Sequence, residues 1–476
     1  MDNLEVVPTA EQFDVVIIGG GPGGYAAALY GAAAGLNIAM IEMSKVGGTC
    51  LHVGCIPAKE LLETAAVHRA IVGADQFGIN VDAPTVDFAV TQERKQKVID
   101  QLFKGLSGLL KARKVTIYDG VGTLGPDKTV KVTGGSSGDV ELVGEFVVLA
   151  SGSVPRTIPG FDVDGKIVVT SDEVLSITEL PARAAVIGGG AIGCEFASMM
   201  ADLGTEVTIL EALPKILPGC DEDITKLVLR SFKSRKIDVR TGVAVSGHKP
   251  KDDGSGTTIS FGEGETLDVD VVVMSVGRRP LSDSLGLEGT AVEVNDRGFV
   301  VVDEYCRTSE PGVYAVGDLV PTPALAHVGF AEAIVVIKHL LGELAIPVDY
   351  SRVPWCIYCH PEVAFAGHSE QSAKEAGLDI AVSKHRFMGN GRAIILGESD
   401  GMVKIIALKD ADGKAGQIIG VHMVGPWVTE QLGQGYMAVN WEATVDEVAQ
   451  FIQPHPSLSE LYGESVMALT GRGLHA

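Results

Sequence analysis

A chain of 476 residues, 46% hydrophobic and only 21% charged, is too long for one core and too apolar for disorder, so about three globular domains are expected. A formal net charge of −23, from 38 Lys and Arg against 61 Asp and Glu, excludes a long negative polymer, so no nucleic-acid partner is expected, although an acidic surface can steer a basic protein. Seven scattered cysteines are not a secreted disulfide framework, and Met1 to Gln12, with Asp2, Glu5 and Glu11 and no Lys or Arg, fits neither a secretory nor a transit leader, which makes the expected compartment cytoplasmic.

Val15 to Ile41 runs for 27 residues without a charge, long enough on paper to span a bilayer. Seven of these residues are glycine and one is proline, so the run is read instead as a strand (Phe13 to Ile18), a glycine turn, an Ala-rich helix and a second strand (Asn37 to Ile41). No membrane association is expected. The turn reads Gly19-Gly20-Gly21-Pro22-Gly23-Gly24, and the second strand leads to Glu42.

Next comes Gly47-Gly48-Thr49-Cys50-Leu51-His52-Val53-Gly54-Cys55-Ile56-Pro57-Ala58-Lys59. Five residues along a regular helix turn side chains apart by about 140° and separate Cα atoms by roughly 7 Å or more, beyond comfortable disulfide reach. A redox pair of Cys50 and Cys55 therefore demands a distorted helix, and Gly54 and Pro57 supply the distortion. Further on, Arg94, Lys95 and Lys97 are read as a solvated helix face opposite Val98, Leu102, Leu106 and Leu109.

After strand Ala185 to Ile187 the first motif returns as Gly188-Gly189-Gly190-Ala191-Ile192-Gly193, and an acid, Glu211, again stands 18 residues past the last glycine. In such a loop the first glycine makes the tight turn, the second lets backbone approach a pyrophosphate, and the third lets helix and strand pack closely. The helix N-terminus holds phosphate and the terminal carboxylate accepts from ribose hydroxyls, so two dinucleotides are expected. Glu211, followed by Ala212, Leu213, Pro214 and Lys215 with no Arg, repels a 2′-phosphate and favours NAD over NADP at the second site.

Val147 to Pro155, through Ser151-Gly152-Ser153, and Val271 to Pro280, through Gly277, are each an apolar strand closing into a Gly/Pro turn, and read as crossovers between nucleotide domains. Gly312 to Asp318 is a strand ending in an acid, followed by a helix from about Ala326 to Leu341; Asp318 is placed for a flavin's ribityl chain. The fold class is α/β: an FAD-binding domain (1–154 and 281–350), an NAD-binding domain (155–280), and an α+β C-terminal domain (351–476) to which the resemblance described below gives the role of dimerisation.

In the last domain Cys356-Ile357-Tyr358-Cys359 invites a zinc or thioredoxin-like reading. It is set aside because Pro354 to Phe365 reads as one strand, along which positions three apart face opposite sides; no metal is expected. Cys194, Cys220 and Cys306 are read as packing. His455 stands between Pro454 and Pro456, which favours a cis His455–Pro456 bond, and Ser457-x-x-Glu460 is compatible either with a helix cap or with Glu460 orienting the imidazole.

Across essentially its whole length the sequence resembles the class I pyridine nucleotide-disulfide oxidoreductases, and Gly47 to Lys59 is most similar to the branch that oxidises dihydrolipoyl groups; His52 and Ala58 depart from that branch's commonest Asn and Ser. The resemblance implies that Cys50 exchanges with substrate, that Cys55 lies against the flavin as the charge-transfer thiolate, and that Lys59 sits near the flavin ring paired with Glu195. It also implies an obligate homodimer in which His455, oriented by Glu460, serves the partner's disulfide as the base.

The FAD set implied is Gly19, Gly21, Gly24, Glu42, Lys59, Ser151, Gly152, Ser153, Asp318, Ala326 and His327; the NAD set is Gly188, Gly190, Gly193, Glu195, Glu211 and Gly277. The expected reaction is oxidation of a protein-bound dihydrolipoyl group with NAD+, and the expected partners are lipoyl domains and the core acyltransferase of 2-oxoacid dehydrogenase complexes or the glycine cleavage lipoyl protein. No cysteine follows Cys359, which argues against relatives with a C-terminal redox pair. An NAD(P)H-dependent reductase of another small disulfide, or a non-catalytic flavoprotein scaffold, are the alternatives.

Overall fold

Along Val15-Val16-Ile17-Ile18 every side chain is buried, yet alternate residues enter different cores, Val15 and Ile17 one, Val16 and Ile18 the other. Such a strand is covered on both faces, as the strands of a parallel sheet are. The computed structural model describes residues 11–136 and 138–475; Asp2 and Glu5 of the acidic stretch Met1 to Gln12 lie outside them. By its contacts the chain forms two units, residues 1–57, 93–156 and 278–350 in the first and 58–92, 157–277 and 351–476 in the second.

In the first unit four parallel pairings order the strands as Thr116–Asp119, Ile38–Glu42, Glu11–Ile18, Val140–Leu149 and Val313–Ala315. Helix Pro22–Ala33 follows the first glycine turn, and helix Ala326–Leu340 packs against it. The second unit repeats the arrangement: Asp238–Thr241, Glu206–Glu211, Arg183–Ile187, Val271–Met274 and Val168–Thr170, all parallel, with helix Ala191–Asp202 after the second glycine turn. The sequence echo is thus an echo of doubly wound topology, in which the crevice at the carboxyl ends of the central strands takes the ligand. The run from Val15 to Ile41 is strand, turn, helix and strand as its glycines dictate. Among the described residues no helix is long and apolar enough to cross a membrane.

The second unit also holds an antiparallel sheet ordered Trp355–Ile357, Glu362–Gly367, Ala415–Gly425, Met402–Lys409 and Ile380–Arg386. The stretch from Pro354 to Phe365 is therefore not one strand. It folds back as two, through a cis His360–Pro361 bond, because proline at the turn cannot donate to a ladder. The basic helix face also needs correction: in helix Phe88–Ala112, Leu102 and Leu109 are 43% and 56% exposed, while Lys95 is buried on the stripe that carries Ile99, Phe103, Leu106 and Leu110. Burial pulls the Lys95 pKa below the ordinary lysine value.

Candidate functional site

The two glycine turns have nearly superimposable local geometry. Gly19 and Gly188 sit at φ +108° and +104°, and a Cβ on either would strike the carbonyl of the neighbouring strand's end, Ala150 or Ser275. A Cβ on Gly24 or Gly193 would overlap the carbonyl oxygen of Gly19 or Gly188, so only glycine lets each helix start this close to its strand. At the middle glycine there is room: a Cβ on Gly21 meets only the Gly48 Cα at 4.0 Å, and one on Gly190 meets nothing within 4 Å. Neither helix has a side-chain cap or a first-turn acid, which leaves its leading N–H groups turned toward that space.

The terminal acids are wired into these turns. Glu42 accepts from the Gly20 N–H at 2.8 Å and the Ser44 N–H at 2.9 Å; Glu211 accepts from Gly189 at 2.5 Å and Leu213 at 2.7 Å. A carboxylate has about four acceptor positions, so each retains lone pairs for ribose hydroxyls. Residues of this kind at both turns fit a dinucleotide.

The cysteine segment breaks where the spacing requires. Helix Gly48–His52 ends at Val53 (φ −141°, ψ 29°), and a new helix, Cys55–Val72, starts on Cys55 itself with Pro57 in its first turn. A Cβ on Gly54 would lie 2.9 Å from the Thr49 carbonyl oxygen, so the break depends on glycine. Both thiols are half-buried; burial, with the electrostatic influence of Cys50 and Cys55 added, pushes the Tyr25 phenol up to about 12. Tyr25 directly follows the third glycine, a position the sequence reading left unassigned. His52 Nε2 lies 2.9 Å from the Val46 carbonyl and its ring stands edge-on to Phe103.

Elsewhere in the first unit, Ser153 Oγ donates to Asp318 at 2.5 Å and Arg278 bonds Ser153 through its Oγ and carbonyl, both at 2.7 Å. Ser151 Oγ donates to the Leu281 carbonyl at 2.7 Å, and the Leu281 N–H reaches back to Gly152, which has φ +74°. Buried Glu332 accepts from the Gly317 N–H, Thr322 and Tyr350, holding the short turn that carries Asp318; burial nevertheless raises its pKa. Ala326 opens the following helix, with His327 exposed beside it. Arg278 and Glu332 were missed; an Arg directly after the crossover Gly277 was the available signal.

In the second unit Lys59 Nζ bonds both carboxylate oxygens of Glu195 at 3.0 and 2.8 Å, although the two residues are 136 apart in sequence. Glu195 is 6% exposed and also accepts from the Tyr358 N–H at 2.8 Å, and the Tyr358 ring lies 4.8 Å from the Lys59 ammonium. Tyr358, which the sequence reading passed over inside its Cys-x-x-Cys, orients this pair. Gly277 is exposed at φ +102°.

His455 Nδ1 lies 3.0 Å from Glu460 Oε2, with the imidazole 79% exposed and the carboxylate 19%. The His455–Pro456 bond is cis. Ser457 Oγ accepts from the Glu460 N–H at 3.2 Å where helix Glu460–Leu469 begins after Ser459, and the Glu460 side chain is left for the imidazole. The remaining cysteines differ from the first pair. Burial pushes Cys356 up to about 11 and Cys220 to about 12, and Cys194, Cys306 and Cys359 are raised as well, so these thiols stay protonated near neutrality.

Residues 13–333 match the family model of pyridine nucleotide-disulphide oxidoreductases, and residues 353–466 match that family's dimerisation domain. The chain is 42% identical to a dihydrolipoyl dehydrogenase of Bacillus subtilis, over 98% of this chain and 100% of that protein. It is 36% identical to mitochondrial dihydrolipoyl dehydrogenase 1 of Arabidopsis thaliana, over 98% and 92%. Among solved structures, LpdA of Mycobacterium tuberculosis superposes with a TM-score of 0.90 at 25% identity, covering 97% of this chain and 100% of that one. A copper complex of the HOCl-induced flavoprotein disulfide reductase RclA of Escherichia coli gives 0.86 at 28%, covering 96% and 99%.

Proposed function

The chain belongs to the pyridine nucleotide-disulphide oxidoreductase family, and on that premise we propose that it oxidises protein-bound dihydrolipoyl groups with NAD+ as a dihydrolipoyl dehydrogenase. The observation that carries the reading is the helix broken between Cys50 and Cys55, since two reduced packing cysteines would not need it. A substrate thiolate attacks the Cys50 sulfur of the Cys50–Cys55 disulfide, and Cys55 leaves as thiolate. The second substrate thiol then attacks its own partner sulfur in the mixed disulfide, which releases cyclic disulfide and the Cys50 thiolate. His455 takes the substrate proton, with Glu460 fixing the tautomer that presents Nε2.

FAD, if bound beside Cys55, would supply the two-electron chemistry that links the dithiol to NAD+. For FAD the supporting residues are Gly19, Gly21, Gly24, Glu42, Ser151, Gly152, Ser153, Asp318, Ala326 and His327, with Lys59 set by Glu195; for NAD they are Gly188, Gly190, Gly193, Glu211 and Gly277. This reading assigns residues 1–154 and 281–350 to FAD, 155–280 to NAD and 351–476 to dimerisation. It makes the protein a cytoplasmic homodimer in which His455 faces the partner's disulfide, and Phe451 and Ile452, 66% and 97% exposed beside it, are apolar surface that such an interface covers. Lipoyl domains and the acyltransferase core of a 2-oxoacid dehydrogenase complex, or the glycine cleavage lipoyl protein, are the partners. Anaerobic titration with dihydrolipoamide tests it: a long-wavelength thiolate–flavin band is expected in the wild type and not in Cys55→Ser, and a wild type without the band refutes the assignment.

A further inference from the structure

Helix Glu222–Ser234 and strand Ile380–Arg386 line a cavity of about 460 Å³ in the second unit. Asp223, Lys226 and Arg230 recur at helical spacing and share one face of the helix. Lys384 and Arg386 are two apart on the strand and share one face of the sheet. Opposite them in register stand Lys404 and Met402, and Met402 with Leu227 gives the cavity an apolar wall. Four cations and one carboxylate line it, in a chain of formal net charge −23.

The nearby acids are already committed. Asp223 binds Lys384 and Lys404, each at 2.7 Å, Glu370 binds Lys374, Lys384 and Lys404, and Glu222 faces Lys226 at 3.6 Å. Among the described residues the Arg230 and Arg386 side chains have neither a hydrogen-bond nor an ion-pair partner. Two guanidinium forks without carboxylates, on a protein with 61 acids, match the planar two-point recognition that phosphoryl oxygens offer. A cavity of this size accepts a small molecule rather than a polymer.

We propose that the cavity between helix Glu222–Ser234 and strand Ile380–Arg386 binds a small diphosphate-bearing anion, held by Arg230 and Arg386 with Lys226 and Lys384 supplying further charge. Arg230 and Arg386 leave two positive charges without a carboxylate, which the negative charge of a diphosphate meets, and the Leu227–Met402 wall suits the apolar part of a nucleoside. The site shares no residue with the proposed dithiol and dinucleotide sites.

The test is calorimetric titration of the FAD-loaded dimer with inorganic pyrophosphate and, separately, with ADP. Both titrations are repeated in Gly193→Ala, whose new methyl meets the Gly188 carbonyl and weakens the glycine turn, so that binding retained there belongs to the cavity. One anion per chain is expected, weakening steeply with added salt. In Arg230→Gln/Arg386→Gln the affinity is expected to fall roughly 100-fold, with the melting curve unchanged, and Arg230→Lys/Arg386→Lys should fall between. ADP tighter than pyrophosphate identifies a nucleotide ligand; equal affinities identify the diphosphate group alone. No binding of either probe at millimolar concentration, or equal binding by the wild type and the Gln variant, overturns the proposal.

Discussion

Lys404→Met isolates a buried charge whose cost can be worked from the structure. The Lys404 side chain is 0% exposed, and its ammonium bonds both oxygens of Asp221 at 2.8 Å and Asp223 and Glu370 at 2.7 Å. Burial alone would strip its proton, but the three carboxylates raise its pKa instead. Asp223, which burial pushes up, is held down to about 2 by Lys384 and Lys404; Glu370 is held down to about 2 by Lys374 and Lys404. Those depressions correspond to ~2 and ~3 kcal/mol, shared among the lysines. Removing the ammonium also leaves Asp221, 0% exposed, without its cation, and the expected loss is about 3–5 kcal/mol at pH 7.

Carboxylates with depressed folded pKa values contribute stability that is fully present above about pH 4.5 and lost as pH falls toward 2. The gap between wild type and Lys404→Met should therefore shrink by roughly a third between pH 7 and pH 3.5. Guanidinium unfolding of the FAD-loaded proteins, followed by circular dichroism at both pH values, measures it. A loss under about 1 kcal/mol at pH 7, or a gap independent of pH, would show that the four-residue cluster is not the source of stability.

Other perturbations reach the proposed site. His455→Gln should lower kcat for dihydrolipoamide oxidation by roughly 10²–10⁴, while NADH still reduces the flavin normally in a half-reaction; slow half-reactions in both directions would contradict the role of base. Glu460→Gln should lower kcat for dihydrolipoamide oxidation roughly 10-fold or more, because the imidazole loses the carboxylate at 3.0 Å that fixes its tautomer; an unchanged kcat would leave the pair structural. In Gly193→Ala the new methyl meets the Gly188 carbonyl, so NAD affinity should drop at least about 10-fold, by equilibrium titration, with flavin content unaltered. The wild type should prefer NADH over NADPH in steady state, and the reverse would refute the role given to Glu211.

The parts legible in the sequence were those with local grammar. Two glycine turns, their acids at equal spacing, and two cysteines set around Gly54 each state a backbone requirement within a short span, and the structure meets those backbone requirements. Lys59 with Glu195 came from resemblance, not from spacing, since 136 residues leave no periodic trace. Lys404 escaped for the same reason, although one lysine inside the apolar run Met402 to Leu408 is a flag for a paired buried charge. Pro354 to Phe365 was misjudged because apolar residues on both sides of a tight proline turn look continuous. Lys95 was misjudged because Leu102 and Leu109 drew the apolar stripe to the wrong side of a helix that has hydrophobic residues on more than one face.

The wiring of Glu211 into the Gly189 and Leu213 amides has a consequence for evolvability. The acid that would read the ribose is also the acceptor that keeps its own turn folded. A substitution that relaxes coenzyme choice therefore also releases two backbone donors, and the variant must pass through a damaged turn before a new preference can emerge. Coenzyme preference in such a loop is conserved by the folding of the polypeptide as much as by the demand for one nucleotide. Redirecting it calls for a replacement acceptor installed first, with the change of charge following as a second step.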